Sequence, residues 1–266
     1  MTEFYRGYET IRFSRRGRVL TVTLDGGDGM NAIRDELHHE LSRVFRDVQR
    51  DPDCDIVVLT GAGRAFCAGG DADWMQEMIE APHRFRDIGP DAKQIVFSLL
   101  ELEKPIICRL NGAAAGLGAT IALMCDIIIA ADTAVIGDPH VRMGFVAGDG
   151  GAVIWPQLIG YARAKELLLT GDMIQAAEAK QMGLINHVVP LAELDAKVDA
   201  MADKLARGAT WAVRWTKTVA NIPLRRLAHE LMDASIAYEM ATNLTADHRE
   251  AVAAFREKRK PTFKGE

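Results

Sequence analysis

Residues 105–130, PIICRLNGAAAGLGATIALMCDIIIA, decide the fold. Pro105–Leu110 is a short apolar run that reads as a strand and stops at Asn111-Gly112. From about Gly116 a run of small residues opens a helix, and Ile127–Ala130 reads as the next strand. The same unit recurs upstream. Ile56–Thr60 is β-branched and runs into the glycine-rich stretch 61–71, GAGRAFCAGGD. Val19–Leu24 alternates and ends at Gly26-Gly27. Between them Met30, Ile33, Leu37, Leu41, Val44 and Val48 fall at steps of three or four, which predicts one amphipathic helix with Asn31 near its start. Three strand-then-helix passes predict an α/β fold with helices covering the sheets.

Downstream of about residue 151 the strands mostly stop. AEAKQMGLINHVVP (177–190) reads as a helix, a Gly183 cap and a brief extended segment. Residues 191–208, 210–221 and 224–259 read as helices, a C-terminal helical appendage that must bury its apolar face on the core or on another subunit.

Composition narrows the function. The chain has 266 residues, 48% hydrophobic and 26% charged, with a net charge of −5, so a general nucleic-acid binder with a basic stripe is disfavoured. No apolar run approaches a membrane span, and the first residues carry Glu3 and Glu9 and no apolar signal core, so a cytoplasmic protein is expected. Cys54, Cys67, Cys108 and Cys125 form no CxxC pair and read as free buried thiols. GxSxG and HExxH are both absent, and the seven histidines show no metal-ligand spacing, so no metal is expected.

Three stretches remain that can carry chemistry. Stretch 61–71 lacks the last glycine of a dinucleotide fingerprint, where Phe66 stands. It is either a tight turn or a loop in which Ala68, Gly69 and Gly70 bring backbone N–H groups close to a ligand. Stretch 111–120 either packs a helix closely or offers a helix N-terminus as a second donor to the same oxygen. Stretch 137–151, GDPHVRMGFVAGDGG, holds His140 and Asp149, a proton carrier and a carboxylate able to orient it. Trp74, Met75, Met78, Phe85 and Trp155 either line a pocket or pack the core. His83 lies in EAPHRFRD, a stretch expected to cover the pocket; Glu239 and Glu250 lie in the helical tail, where a solvated face is expected.

In this order FCAGGDADWM (66–75), NGAAAGLGATIALMCDIIIAAD (111–132), IGDPHVRMGF (136–145), LLLTGDMIQAAEAKQMGLINHVV (167–189) and the tail FREKRKPTF (255–263) resemble the crotonase, or enoyl-CoA hydratase/isomerase, superfamily. The resemblance covers about residues 10–264. It implies a spiral of ββα units over residues 1–200 and a helical trimerisation segment over 201–266, in homotrimers or dimers of trimers. It implies an acyl-CoA substrate, with coenzyme A as part of that substrate and no separate cofactor. A thioester enolate would be held by the N–H groups of Ala68 and Leu117. Ala65, Gly69, Asp71 and Gly116 would belong to the loops that cradle coenzyme A, and Phe255 and Lys258 match tail residues that reach a neighbour's coenzyme A. The alternative for the tail is a solvated helix end.

The departures from the family carry as much weight. The hydratases use two glutamates; the matching positions here are Thr120 and His140. Threonine does not titrate near neutral pH, so ordinary hydration lacks its acid-base pair. His140 with Asp149, followed by DGGAVIWPQLIG (149–160), locally resembles the 6-oxocamphor hydrolase branch, which cleaves a C–C bond in cyclic β-diketones. Three functions follow: an acyl-CoA enzyme of fatty-acid type metabolism using His140, Asp149 and Thr120; a β-diketone hydrolase that needs no coenzyme A; or a non-catalytic coenzyme A-binding or scaffolding protein.

Overall fold

The computed structural model describes residues 3–266. The strands are β1 Ile11–Arg16, β2 Val19–Leu24, β3 Ile56–Gly61, β4 Ile106–Leu110, β5 Ala114–Ala115, β6 Ile127–Ala131, β7 Val135–Gly137, β8 Met173–Gln175 and β9 His187–Val189. The helices are α1 Asp35–Arg50, α2 Ala72–Glu80, α3 His83–Glu101, α4 Leu117–Leu123, α5 Gly151–Ile159, α6 Tyr161–Thr170, α7 Ala176–Gln181, α8 Leu194–Ala206, α9 Thr210–Ala220, α10 Ile222–Thr242 and α11 Ala246–Arg256. A 3-10 turn, His140–Met143, follows β7.

Two sheets carry the fold. The larger has the order β1-β2-β3-β4-β6-β9, parallel throughout except for the β1–β2 hairpin. Its middle strands are buried on both faces, which is why Ile56–Gly61 and Ile106–Leu110 read as unbroken apolar runs and not as alternation. The smaller sheet, β5-β7-β8, is built from two- and three-residue strands too short to show a period. The α/β class and the crotonase architecture expected from the sequence are both present.

Two helix boundaries differ from the periodicity. Helix α1 begins at Asp35, so Met30 and Ile33 precede it. Asn31 sits at φ +53°, outside helical space, and Ile33 bridges to Gly70. The apolar spacing runs on to Ile33 because that residue is buried in the same core as α1, not because it shares its helix; Met30 is only half-buried. The run 224–259 is two helices, α10 and α11, broken at 243–245; the Asn243 amide donates to the Met78 carbonyl at 3.1 Å and Thr245 caps α11. The boundary at residue 200 falls inside α8, whose Leu194, Val198 and Ala202 are buried where it packs against β3, β4 and β6. The helices separate from the sheet therefore begin at α9.

Candidate active site

Parallel strands leave their loops on one side, so the loops after β3 and β4 meet at the C-terminal edge of the larger sheet. Two buried asparagines set the first loop. Asn31 donates its amide to the carbonyls of Ala62, Ala65 and Phe66 at 2.9–3.1 Å. Asn111 accepts from the Gly61 N–H at 3.2 Å and donates to the Ala65 carbonyl at 3.1 Å. The loop's backbone groups are thereby satisfied without water, and its conformation is fixed.

Two N–H groups remain free. The resemblance assigns one donor to Ala68, but that N–H is held by the Met30 carbonyl at 3.0 Å. Ile33 bonds to the Gly69 carbonyl and to the Asp71 N–H, at 2.8 and 3.0 Å, and passes over Gly70. The Gly70 N–H has no backbone acceptor among the described residues, and Gly70 lines the cavity. Gly70 therefore replaces Ala68 as the available donor. The Leu117 N–H is the first of α4 and has no partner within its helix. Gly116 sets its direction with φ +54°, and a Cβ there would press within 3.2 Å of the His140 ring.

The third stretch brings His140 and Asp149 together. The His140 Nε2 lies 3.3 Å from Asp149 Oδ2, and the Thr120 hydroxyl donates to Asp149 Oδ1 at 3.4 Å. A second carboxylate escaped the sequence reading. Asp138, 1% exposed, accepts from His140 Nδ1 on the opposite edge of the ring. Burial opposes the charged imidazole, but Asp138 and Asp149 outweigh it and hold the His140 pKa well above the ordinary histidine value. Ligand atoms of all three residues lie within 4.8 Å of one another. The carboxylates flank opposite ring edges, however, so the arrangement suits an imidazolium better than one shared ion.

Glu239 is a correction. The sequence reading leaves it solvated; in the structure α10 carries it into the cavity wall, 9% exposed. Burial, then the nearby Asp149 charge, push its pKa up to about 8. It is a neutral acid at pH 7. Glu250 stays on the surface, paired with Arg259. His38 of α1 is also on the wall and was missed; burial holds its pKa below the ordinary value. A three-residue stagger along an amphipathic helix marks such residues only as inward-facing, which is no sign of a site.

The cavity between these groups measures about 300 Å³. Trp74, Met75 and Met78 of α2 and Phe85 of α3 line it, as the first reading allowed; Trp155 instead lies in the core and His83 lies off the wall. Ala65 and Asp71, expected in the loops that cradle coenzyme A, lie off the cavity wall. Ala65 is 1% exposed and its carbonyl is taken by both asparagines. Asp71 caps α2 through the N–H groups of Asp73 and Trp74 and pairs with Arg34 at 2.9 Å. Lys258 lies off the cavity wall, whereas Phe255 of α11 lines this chain's own cavity. Gly69 and Gly116 do line it.

The fold is that of the crotonase superfamily. The enoyl-CoA hydratase/isomerase family model matches residues 14–266, and the chain belongs to that family. It is 35% identical over 260 residues to a probable mitochondrial enoyl-CoA hydratase of Dictyostelium discoideum, covering 98% of this chain and 92% of that one. An enoyl-CoA hydratase/isomerase structure from Mycobacterium paratuberculosis superimposes with a TM-score of 0.90 at 35% identity, over 94% of this chain and 99% of that chain. A β-diketone hydrolase from the cyanobacterium Anabaena, solved with (S)-3-oxocyclohexyl acetic acid bound, superimposes with a TM-score of 0.86 at 29% identity, over 92% and 98%.

Proposed function

We propose that this chain hydrolyses a C–C bond in a small cyclic β-diketone. The observation that carries the reading is the charged array Asp138–His140–Asp149 beside a neutral Glu239, in an apolar cavity whose hydratase glutamate position is Thr120. The array supplies what the cleavage needs. Asp149 takes a proton from water while the adjacent imidazolium stabilises the hydroxide being formed. The water oxygen bonds to one ketone carbon. The bond from that carbon to the carbon between the two carbonyls then breaks. Its electron pair becomes the enolate of the surviving ketone, whose oxygen the Gly70 and Leu117 N–H groups can hold. Glu239 is placed to protonate the enolate carbon, and the sum is one water added across one C–C bond.

The cavity wall also supports this reading. Phe255 lines the cavity from the same chain, and Arg142 on the wall is already engaged with Asp172. A second reading is enolate chemistry on an enoyl-CoA or β-oxoacyl-CoA, favoured by the hydratase names of relatives such as the Dictyostelium protein. We read the exposed α9 stripe of Trp211, Trp215 and Val219 as a subunit contact in a homotrimer or dimer of trimers; light scattering of the purified chain measures it.

The experiment is mass spectrometry in ¹⁸O-water with cyclic β-diketones, β-oxoacyl-CoAs and enoyl-CoAs. Label in a new carboxylate of a ring-opened diketone supports the proposal. Water gained by an enoyl-CoA, with the diketones untouched, replaces it with hydration. Turnover of none of them moves the assignment to the non-catalytic reading.

A further inference from the structure

Two carboxylates face His140, and their surroundings differ. Asp149 lines the cavity; Asp138 does not. Asp138 accepts on the Nδ1 edge of the ring, and its Oδ1 also lies 3.4 Å from the His140 backbone N–H. Its other oxygen, Oδ2, is buried with no hydrogen-bond partner among the described residues. That oxygen sits against Gly151, where any Cβ would collide with it. Asp138 follows Gly137 at the end of β7 and precedes Pro139, so its backbone has little freedom.

We propose that Asp138 is the positioning residue of this site: it fixes the orientation of His140 and keeps the proton on Nδ1, leaving Nε2 and Asp149 to meet water and substrate. The division of labour rests on the reading above, in which the His140 ring stands charged beside the base Asp149, but the tautomer itself does not.

The physical argument is one of asymmetry. A neutral imidazole carries one N–H, and the partner on the other edge decides where it stays. Both partners are buried carboxylates, but the Nδ1 partner is hydrogen-bonded and stands off the cavity, whereas the Nε2 partner lies 3.3 Å away on the cavity wall. The charge-assisted hydrogen bond on the Nδ1 edge is the stronger of the two. Asp149 is moreover shared with the Thr120 hydroxyl.

The other groups around the ring do not compete. Glu239 from α10 is neutral up to about pH 8. His248 from α11 donates Nδ1–H to the Met143 carbonyl at 2.6 Å, and burial pulls its pKa down to about 4. Burial lowers the pKa of His38 from α1. Arg142, on the same turn, pairs with Asp172.

The test is ¹⁵N-histidine NMR of the intact chain, with the His140 signal assigned by its loss in His140→Gln. It needs no substrate, so it stands or falls apart from the diketone reading. On raising the pH the proposal expects the neutral ring to keep its proton on Nδ1. A neutral ring with the proton on Nε2 overturns it, and this measurement requires no carboxylate variant to fold. Asp138→Asn should lower the His140 midpoint and scramble the tautomer. Asp149→Asn should lower the midpoint yet leave the proton on Nδ1. In kinetics on the substrate identified with ¹⁸O, Asp138→Asn should cost up to about 10⁴-fold in kcat, the scale of a wrong-tautomer histidine. An Asp138→Asn variant with wild-type midpoint, tautomer and kcat would reduce Asp138 to a structural residue.

Discussion

The two halves of this site are built by different physics. The oxyanion half, residues 61–71 and 111–120, works through backbone N–H groups whose directions are fixed by glycines and by two buried asparagines. The proton-handling half works through side chains that converge from β7, α4, the loop before α5, and α10. Backbone donors survive side-chain replacement, which is why Leu117 serves as well as a glycine there. Converging side chains depend on each neighbour's charge, so one change alters all of them.

The largest expected effect lies in the charged half. His140→Ala should cut kcat/KM about 10³- to 10⁴-fold with the circular dichroism spectrum retained and the unfolding midpoint lowered, because the ring is the cation between two carboxylates. Comparable turnover in that variant would leave the charged half without a role. The backbone half is tested by Leu117→Pro. Proline is tolerated at the first helical position and removes the N–H, together with the buried leucine side chain, so a fall of about 10²- to 10³-fold in kcat is expected, with Leu117→Ala as the control for the lost packing. A replacement at Ala68 that keeps the loop should change kcat little, since its N–H already serves Met30.

The pH dependence sharpens the contrast. Glu239 holds its proton up to about pH 8, so turnover should decline above that point, and Glu239→Gln should remove the decline. The sign for stability runs the same way. A carboxyl whose folded pKa is raised stabilises the fold fully below its unfolded value of 4.5, and the contribution is lost as pH rises through about 8. Glu239→Gln should therefore flatten the loss of denaturant stability between about pH 4.5 and 8. An unchanged pH profile would remove Glu239 from the proton path.

The smallest effects belong to the tail. Phe255→Ala should raise KM several-fold by opening the cavity, because a well-exposed phenyl on the wall acts as a cover and not as core. Lys258→Ala should change kcat/KM less than about twofold, since a surface cation off the wall has little to hold. A large loss with Lys258→Ala on a CoA ester would favour the acyl-CoA reading.

How much was legible follows the same division. The strand runs of 19–24, 56–61 and 106–110 were readable because each strand's period or apolar run reports its own burial. His140 and Asp149 were readable as a pair because they stand nine positions apart in one stretch after a strand. Asp138 stood two residues away, yet its side chain could not be assigned a direction from sequence, since a loop has no period. Glu239 was read as solvated because a helix face shows what is apolar; a lone polar residue on it looks the same whether it meets water or a cavity. Ala68 was chosen over Gly70 because residue type says nothing of which N–H already has an acceptor.

The amino-acid sequence alone determined the α/β class and the two glycine loops, because those depend on local patterning and on backbone freedom, and the crotonase architecture followed from the resemblance of its motifs to that family. Only the tertiary structure decided which amides stay free, which carboxylate holds which edge of His140, and which acid stays neutral. Those depend on distances between residues up to about 100 positions apart in the chain, and a charge buried at such a distance is set by its neighbours in space.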